Sequence, residues 1–196
     1  VLGLGRKSIW YYDLNTIYDA DLDSLHETLA AIHSKKKRII ASMTVVGDTE
    51  RGKIQDVHSL DAVITQHCNM YGYRPPMIVD AAAQWLNIAM TRDISIWDFS
   101  NRNVKAIIID PQKLELPYDI SILLLRRFKD LFALAPRDTI GALNIKEMKR
   151  HLSAKANMLT SRGGAQIVAL YAYLVREGIQ GLTRSRKRIL RRAETF

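Results

Sequence analysis

Residues 106–109, Ala-Ile-Ile-Ile, form an apolar run with no polar alternation, which is the pattern of a strand buried within a sheet. A buried strand needs strand partners and a helical cover, and this one run therefore limits the chain to a sheet-and-helix fold. Further strands are expected at Arg38–Val46, where Arg-Ile-Ile-Ala-Ser-Met-Thr-Val-Val precedes the Gly47-Asp48 turn, at Ile94–Phe99 and over Val104–Asp110, with a second strand or an extended segment at Lys53–Val57. The helices are marked by caps and periodicity. Ser24 and Glu27 fit a capping box ahead of Leu25, Leu29 and Ile32, and Ser59 precedes Leu60, Val63, Ile64 and His67 on one face. Pro75-Pro76 suits the first turn of a helix over Met77–Met90, with Ile78, Ala82, Trp85 and Ala89 as its stripe. Helices are also expected over Asp119–Leu134, Ile145–Leu159 and Ala165–Arg176, the last closed by Gly178; Thr183–Glu194 reads as a final basic helix or a disordered arm.

The expected class is α+β: a small β-sheet packed on helices, with a mainly helical basic C-terminal part. The expected organisation is an N-terminal arm over 1–22, an α+β core over 23–143 and a helical basic segment over 144–196. At 196 residues, 47% apolar and 25% charged, the chain can bury a core of its own. It contains no apolar run of the roughly 18 to 20 residues that a membrane span needs. Val1–Tyr12 lacks the apolar core of a secretion signal. A single cysteine, Cys68, excludes an internal disulfide framework and favours a reducing compartment.

Charge is unevenly spread. Residues 1–145 hold 17 Lys/Arg against 17 Asp/Glu, whereas residues 146–196 hold 12 against 3, so the last quarter carries the whole net charge of +9. The densest stretch contains Arg184, Arg186, Lys187, Arg188, Arg191 and Arg192; Lys35, Lys36, Lys37 and Arg38 form a second cluster, and Arg6 and Lys7 a third. Such asymmetry predicts a neutral body with a basic end that meets a polyanion, either nucleic acid or anionic lipid. Trp10, Tyr11 and Tyr12 beside Arg6-Lys7 are candidates for stacking on bases or for anchoring self-association.

Catalytic and metal motifs are weak. Asp19, Asp21 and Asp23 begin like a calcium loop, but Ser24 and Ala30 stand where that loop requires Gly and Glu, so the three acids are better placed as a negative approach to a helix N-terminus. Gly5-Arg6-Lys7-Ser8 lacks the preceding strand and the spacing of a phosphate loop. His26, His33, His58, His67 and His151 with one cysteine give no zinc spacing, and no G-x-S-x-G or H-E-x-x-H is present. No metal, cofactor or small-molecule substrate is expected on these grounds.

Ile40-Ala-Ser-Met43-Thr44-Val45, then Asp56-Val57 entering a helix, Tyr71-Gly72, and Arg74-Pro75-Pro76 opening a second helix resemble the middle of rhabdovirus matrix proteins over residues 38–90, as Val1–Lys7 resembles their basic opening. The resemblance implies a non-enzymatic, self-associating layer protein between ribonucleoprotein and envelope. Together with the charge it predicts a homo-oligomer that binds RNA, ribonucleoprotein or anionic membrane, in the virion and host cytoplasm. The alternatives are a cellular RNA-binding component of a large ribonucleoprotein such as an organellar ribosome, a viral nucleocapsid protein, or an enzyme whose site carries no familiar motif.

Overall fold

The structure is a computed structural model that describes residues 5–89, 97–114, 120–127, 130 and 164–195. The chain divides into two units, Val1–Asp110 and Pro111–Phe196.

The first unit is built on three strands, β1 (Ser42–Val45), β2 (Met77–Asp80) and β3 (Val104–Ile109). Both pairings are parallel: Ser42 to Val45 face Met77 to Asp80, and Asp80 faces Ile108, with a bulge between Met77 and Ile78. Parallel neighbours need long crossovers, and the chain supplies them. Helix α2 (Val57–Asn69) joins β1 to β2, and the 81–103 connection, which contains the short α3 (Trp85–Ala89), joins β2 to β3. Helix α1 (Leu22–Ser34) packs against α2. Leu25 and Leu29 of α1, and Leu60, Ile64 and Cys68 of α2, close on Val46, Met77, Val79, Val104 and Ile107. Each fully buried aliphatic side chain there contributes about 1.5–3 kcal/mol.

A sheet with helices is what the sequence predicts, and β3 falls on the Ala106–Ile109 run. Several elements differ. Met77–Asp80 is a strand and not the start of a helix, because the residue before a proline is pushed to extended geometry and Ile78-Val79 continue it. Of the strand or extended segment expected at 53–57, the structure has the second, with a single bridge from Val46 to Ile54. Both long helices start three residues earlier than the serine caps suggest: Asp21 accepts the N–H groups of Asp23 and Ser24, and Asp56 those of His58 and Ser59. Ser24 instead accepts from the Asp13 amide at 2.9 Å.

In the second unit, a 3-10 turn (Pro111–Leu114) precedes β4 (Ile122–Leu125), which occupies part of the expected 119–134 helix. Helix α4 (Ala165–Ala193) runs through Gly178, where φ 54° and ψ −171° break the helical geometry and kink it. Helical geometry therefore ends at Gly178, as the sequence predicts, and a second helical segment that includes the basic 183–193 stretch follows the kink. The expected helix at 145–159 and most of the expected strand at 94–99 lie outside the described residues.

Candidate active site at the carboxyl edge of the sheet

In an open parallel sheet, ligands bind beyond the carboxyl ends of the strands, where loops carry chemistry that the strands hold fixed. Here those ends are Val45-Val46-Gly47-Asp48 after β1, Asp80-Ala81-Ala82 after β2 and Asp110 after β3.

Asp80 ends the middle one of the three paired strands. Its backbone is held on both sides of the turn, because the Val46 amide donates to the Asp80 carbonyl at 2.8 Å and the Ala81 amide donates to Ile108 at 2.9 Å. One carboxylate oxygen accepts the Ala82 N–H at 3.0 Å, so the side chain is turned back over its own turn. Asp80 is half-buried, and no ion pair among the described residues engages it. A carboxylate held in this way offers its remaining lone pairs to a cationic N–H.

The loop after β1 forms the neighbouring wall. Asp48 accepts the amides of Glu50, Arg51 and Lys53 at 2.9, 2.6 and 3.0 Å. Those backbone donors, the Arg51 amide foremost, hold the Asp48 carboxyl below its ordinary range. The loop is fastened to the preceding segment as well: Lys53 pairs with Asp19 at 2.9 Å, Arg51 lies 4.1 Å over the Tyr18 ring, and the Gln55 amide donates to the Tyr18 carbonyl.

A second cluster lies at the opposite, amino edge. His33, near the end of α1, contacts the Leu29 carbonyl through Nδ1 at 2.9 Å and the Tyr73 hydroxyl through Nε2 at 2.7 Å. The network assigns the proton to Nδ1, with Tyr73 donating to Nε2 while its oxygen accepts the Ile39 amide. Tyr71 stacks on His33 at 3.8 Å, and His67 Nε2 lies 3.1 Å from His33 Nδ1. Burial, then the charges of His33 and His26, pull the His67 pKa down. Burial also raises Cys68, which leaves the thiol protonated and unreactive. The chemistry available at this edge is structural.

The basic and aromatic candidates from the sequence fall elsewhere. Arg6 and Lys7 sit on an exposed 3-10 turn, and Lys35 and Lys37 place their ammonium groups 4.7 and 5.6 Å from the Trp10 ring. Lys36 is exposed at φ 54°, Arg38 covers the Tyr73 ring at 4.5 Å, Tyr11 is exposed and Tyr12 packs on the core. Arg184, Lys187, Arg188, Arg191 and Arg192 line an open groove of about 450 Å³ on α4 with Thr195, and Arg186 is half-buried beside it. Within the first unit, Arg6, Lys7, Lys35, Lys36, Lys37 and Arg38 lie on elements other than the strand ends of the carboxyl edge. Asp80, Gly47 and Asp48 were missed by sequence reasoning; the available signal was the Met-Ile-Val-Asp stretch, a β-rich run ending in an acid.

No family model matches the chain. It is 29% identical over 146 residues to glutamate decarboxylase 2 of Arabidopsis thaliana, a match that covers 72% of this chain and 28% of that protein. It is 25% identical to an L-aspartate/L-glutamate decarboxylase of Pyrococcus horikoshii, over 98% of this chain and 46% of the relative. The chain thus spans less than half the length of these curated relatives. Among solved structures, mouse CSAD superposes with a TM-score of 0.71 at 19% identity, over 93% of this chain and 37% of that one. Oryza sativa TDC with PLP and tryptamine superposes with 0.66 at 16% identity, over 86% and 34%.

These likenesses overturn the rhabdovirus matrix resemblance, and with it the expectation of a non-enzymatic viral structural, nucleocapsid or ribosomal protein. The relatives are enzymes named for small-molecule substrates, not binders of RNA or ribonucleoprotein, and they come from cellular organisms, so the virion location falls too. The residues behind the resemblance have another physical account: Met43-Thr44-Val45 belong to a strand of a parallel sheet, and Arg74-Pro75-Pro76 lead into β2 rather than into a helix. The chain has the fold of part of these decarboxylases.

Proposed function

We propose that this chain is the part of a pyridoxal-phosphate-dependent amino acid decarboxylase that holds the cofactor's ring nitrogen, and that the substrate is an acidic amino acid. The observation that carries the reading is Asp80: a half-buried carboxylate, fixed at the carboxyl end of a strand flanked on both sides, with one oxygen committed to Ala82 and no cation among the described residues paired to it. PLP enzymes set an acid against the pyridinium nitrogen and link the aldehyde to a lysine. The donor set fits. Asp80 would keep the ring nitrogen protonated. The acidic substrate class follows the relatives, named for glutamate and aspartate.

When bound, PLP supplies an electron sink that accepts the electron pair left as carbon dioxide departs. This chain's part is to hold and orient. Asp80 would keep a proton at the ring nitrogen, its orientation fixed by the Ala82 amide, and the Asp48 loop walls one side of the carboxyl edge. Titrating the purified chain with PLP, followed by absorbance, tests the reading. Saturable uptake, weakened in Asp80→Ala, is expected. Uptake that is indifferent to the substitution would overturn it.

A further inference from the structure

Asp80 contributes nothing unless its carboxylate points the right way, and the backbone ladder alone does not fix the turn that follows it. That turn carries Gln84, which leans on Gly47 at the exit of β1. Gly47 has φ 82°, a conformation that favours glycine, and a Cβ there would overlap Cβ and Cγ of Gln84 and lie 3.3 Å from Cδ1 of Ile88. The close approach is therefore available to glycine alone.

Gly47 is itself held firmly. Its amide and that of Asp48 both donate to the Lys53 carbonyl, at 2.9 and 3.1 Å, and the Gly52 amide returns to the Asp48 carbonyl at 3.0 Å. The Asp48 carboxylate ties in three more amides of the same loop. The seven residues Gly47–Lys53 are closed into a ring, and Gln84 lies against the Cα of Gly47. On the Asp80 side, the Ala82 amide bonds the carboxylate, and Gln84 follows two residues later, with its side-chain oxygen accepting from Asn87 at 2.6 Å.

We propose that the Asp48 ring is a positioning device: through the Gly47–Gln84 contact it sets the turn after β2, and so the direction in which the Asp80 carboxylate faces the ring nitrogen of the cofactor. The inference rests on the PLP reading above. Gly47 and Asp48 are positioning residues and touch no reacting atom.

The test uses the full chain with PLP itself and compares wild type with Gly47→Ala, Gln84→Gly, the double variant and Asp48→Asn. Two readouts are followed: PLP affinity with the absorbance maximum of the bound form, and the Ala82 amide resonance without cofactor. Gly47→Ala should weaken PLP about tenfold, move the absorbance maximum and shift the Ala82 resonance. Gln84→Gly in the same chain removes the overlapping atoms and should restore much of all three. Asp48→Asn, which keeps the fold of the loop but loses amide acceptors, should shift the same signals less. An unmoved Ala82 resonance in Gly47→Ala, or a double variant as impaired as the single, would overturn the positioning role. Failure of the wild-type chain to take up PLP would overturn the cofactor reading instead, and with it the purpose assigned to the device, while the Ala82 resonance still reports whether Gly47 sets the turn.

Discussion

Asn103 donates a hydrogen bond to Asp61 at 2.6 Å, joining the start of β3 to the middle of α2 across 42 positions of sequence. The same Asn103 amide reaches the Pro75 carbonyl at 3.0 Å, and Asp61 also accepts from Arg74 at 3.1 Å and from Thr65. One buried carboxylate thus gathers α2, the entry to β2 and the entry to β3 at the amino edge, opposite the proposed cofactor edge.

Because Asp61 is buried, removing it leaves one of the two Asn103 side-chain N–H groups without its acceptor and breaks the Arg74 pair. Asp61→Ala should destabilise the fold by about 1–3 kcal/mol, seen as a lower urea midpoint. Asn103→Ala should cost a comparable amount, and the double variant less than the sum, since the two share one interaction. A midpoint unchanged in Asp61→Ala would contradict this account of the amino edge.

The helix starts give a sharper comparison. Asp21→Ala and Asp56→Ala should each cost about 1 kcal/mol, because each carboxylate satisfies two free amides of the first turn. Ser24→Ala and Ser59→Ala should cost less. Urea denaturation of the four variants decides which residues cap, and larger losses at the serines would restore the caps read from the sequence.

The paired histidines make stability depend on pH. The folded pKa of His67 lies below its ordinary value of 6.5, so the folded chain resists a proton that the unfolded chain accepts. Its contribution is fully present above about pH 6.5 and is lost as pH falls toward the folded pKa. His67→Gln should flatten that part of the urea-midpoint profile, leaving the region above pH 7 little changed. An identical slope in the variant would show that His67 plays no part.

Legibility in the sequence followed the physics of each signal. Ala106–Ile109 declared a buried strand because nothing else explains such a run. Met77–Asp80 did not, since Ile78, Ala82, Trp85 and Ala89 happen to recur at helical spacing and Pro75-Pro76 suits a helix start as well as an extended approach. Leu123-Leu124-Leu125, helix formers by propensity, sit in a strand, where pairing overrides preference. Asp80 was hidden for the same reason as β2: an acid at a strand end has meaning only once the strand is recognised. The basic excess was plain in the count, yet its placement along α4 carries no statement about a partner. Gly47 could be read as a turn, but its contact with Gln84 exists only in three dimensions.

Asp80 offers the most direct measurement. PLP is titrated into the wild-type chain, Asp80→Asn and Asp80→Ala, and the absorbance of the bound form is followed. The account predicts saturable uptake by the wild type, with weaker binding and a displaced absorbance maximum in both variants, because neither keeps a carboxylate at the end of β2. Affinity and absorbance equal to the wild type in both variants would contradict it.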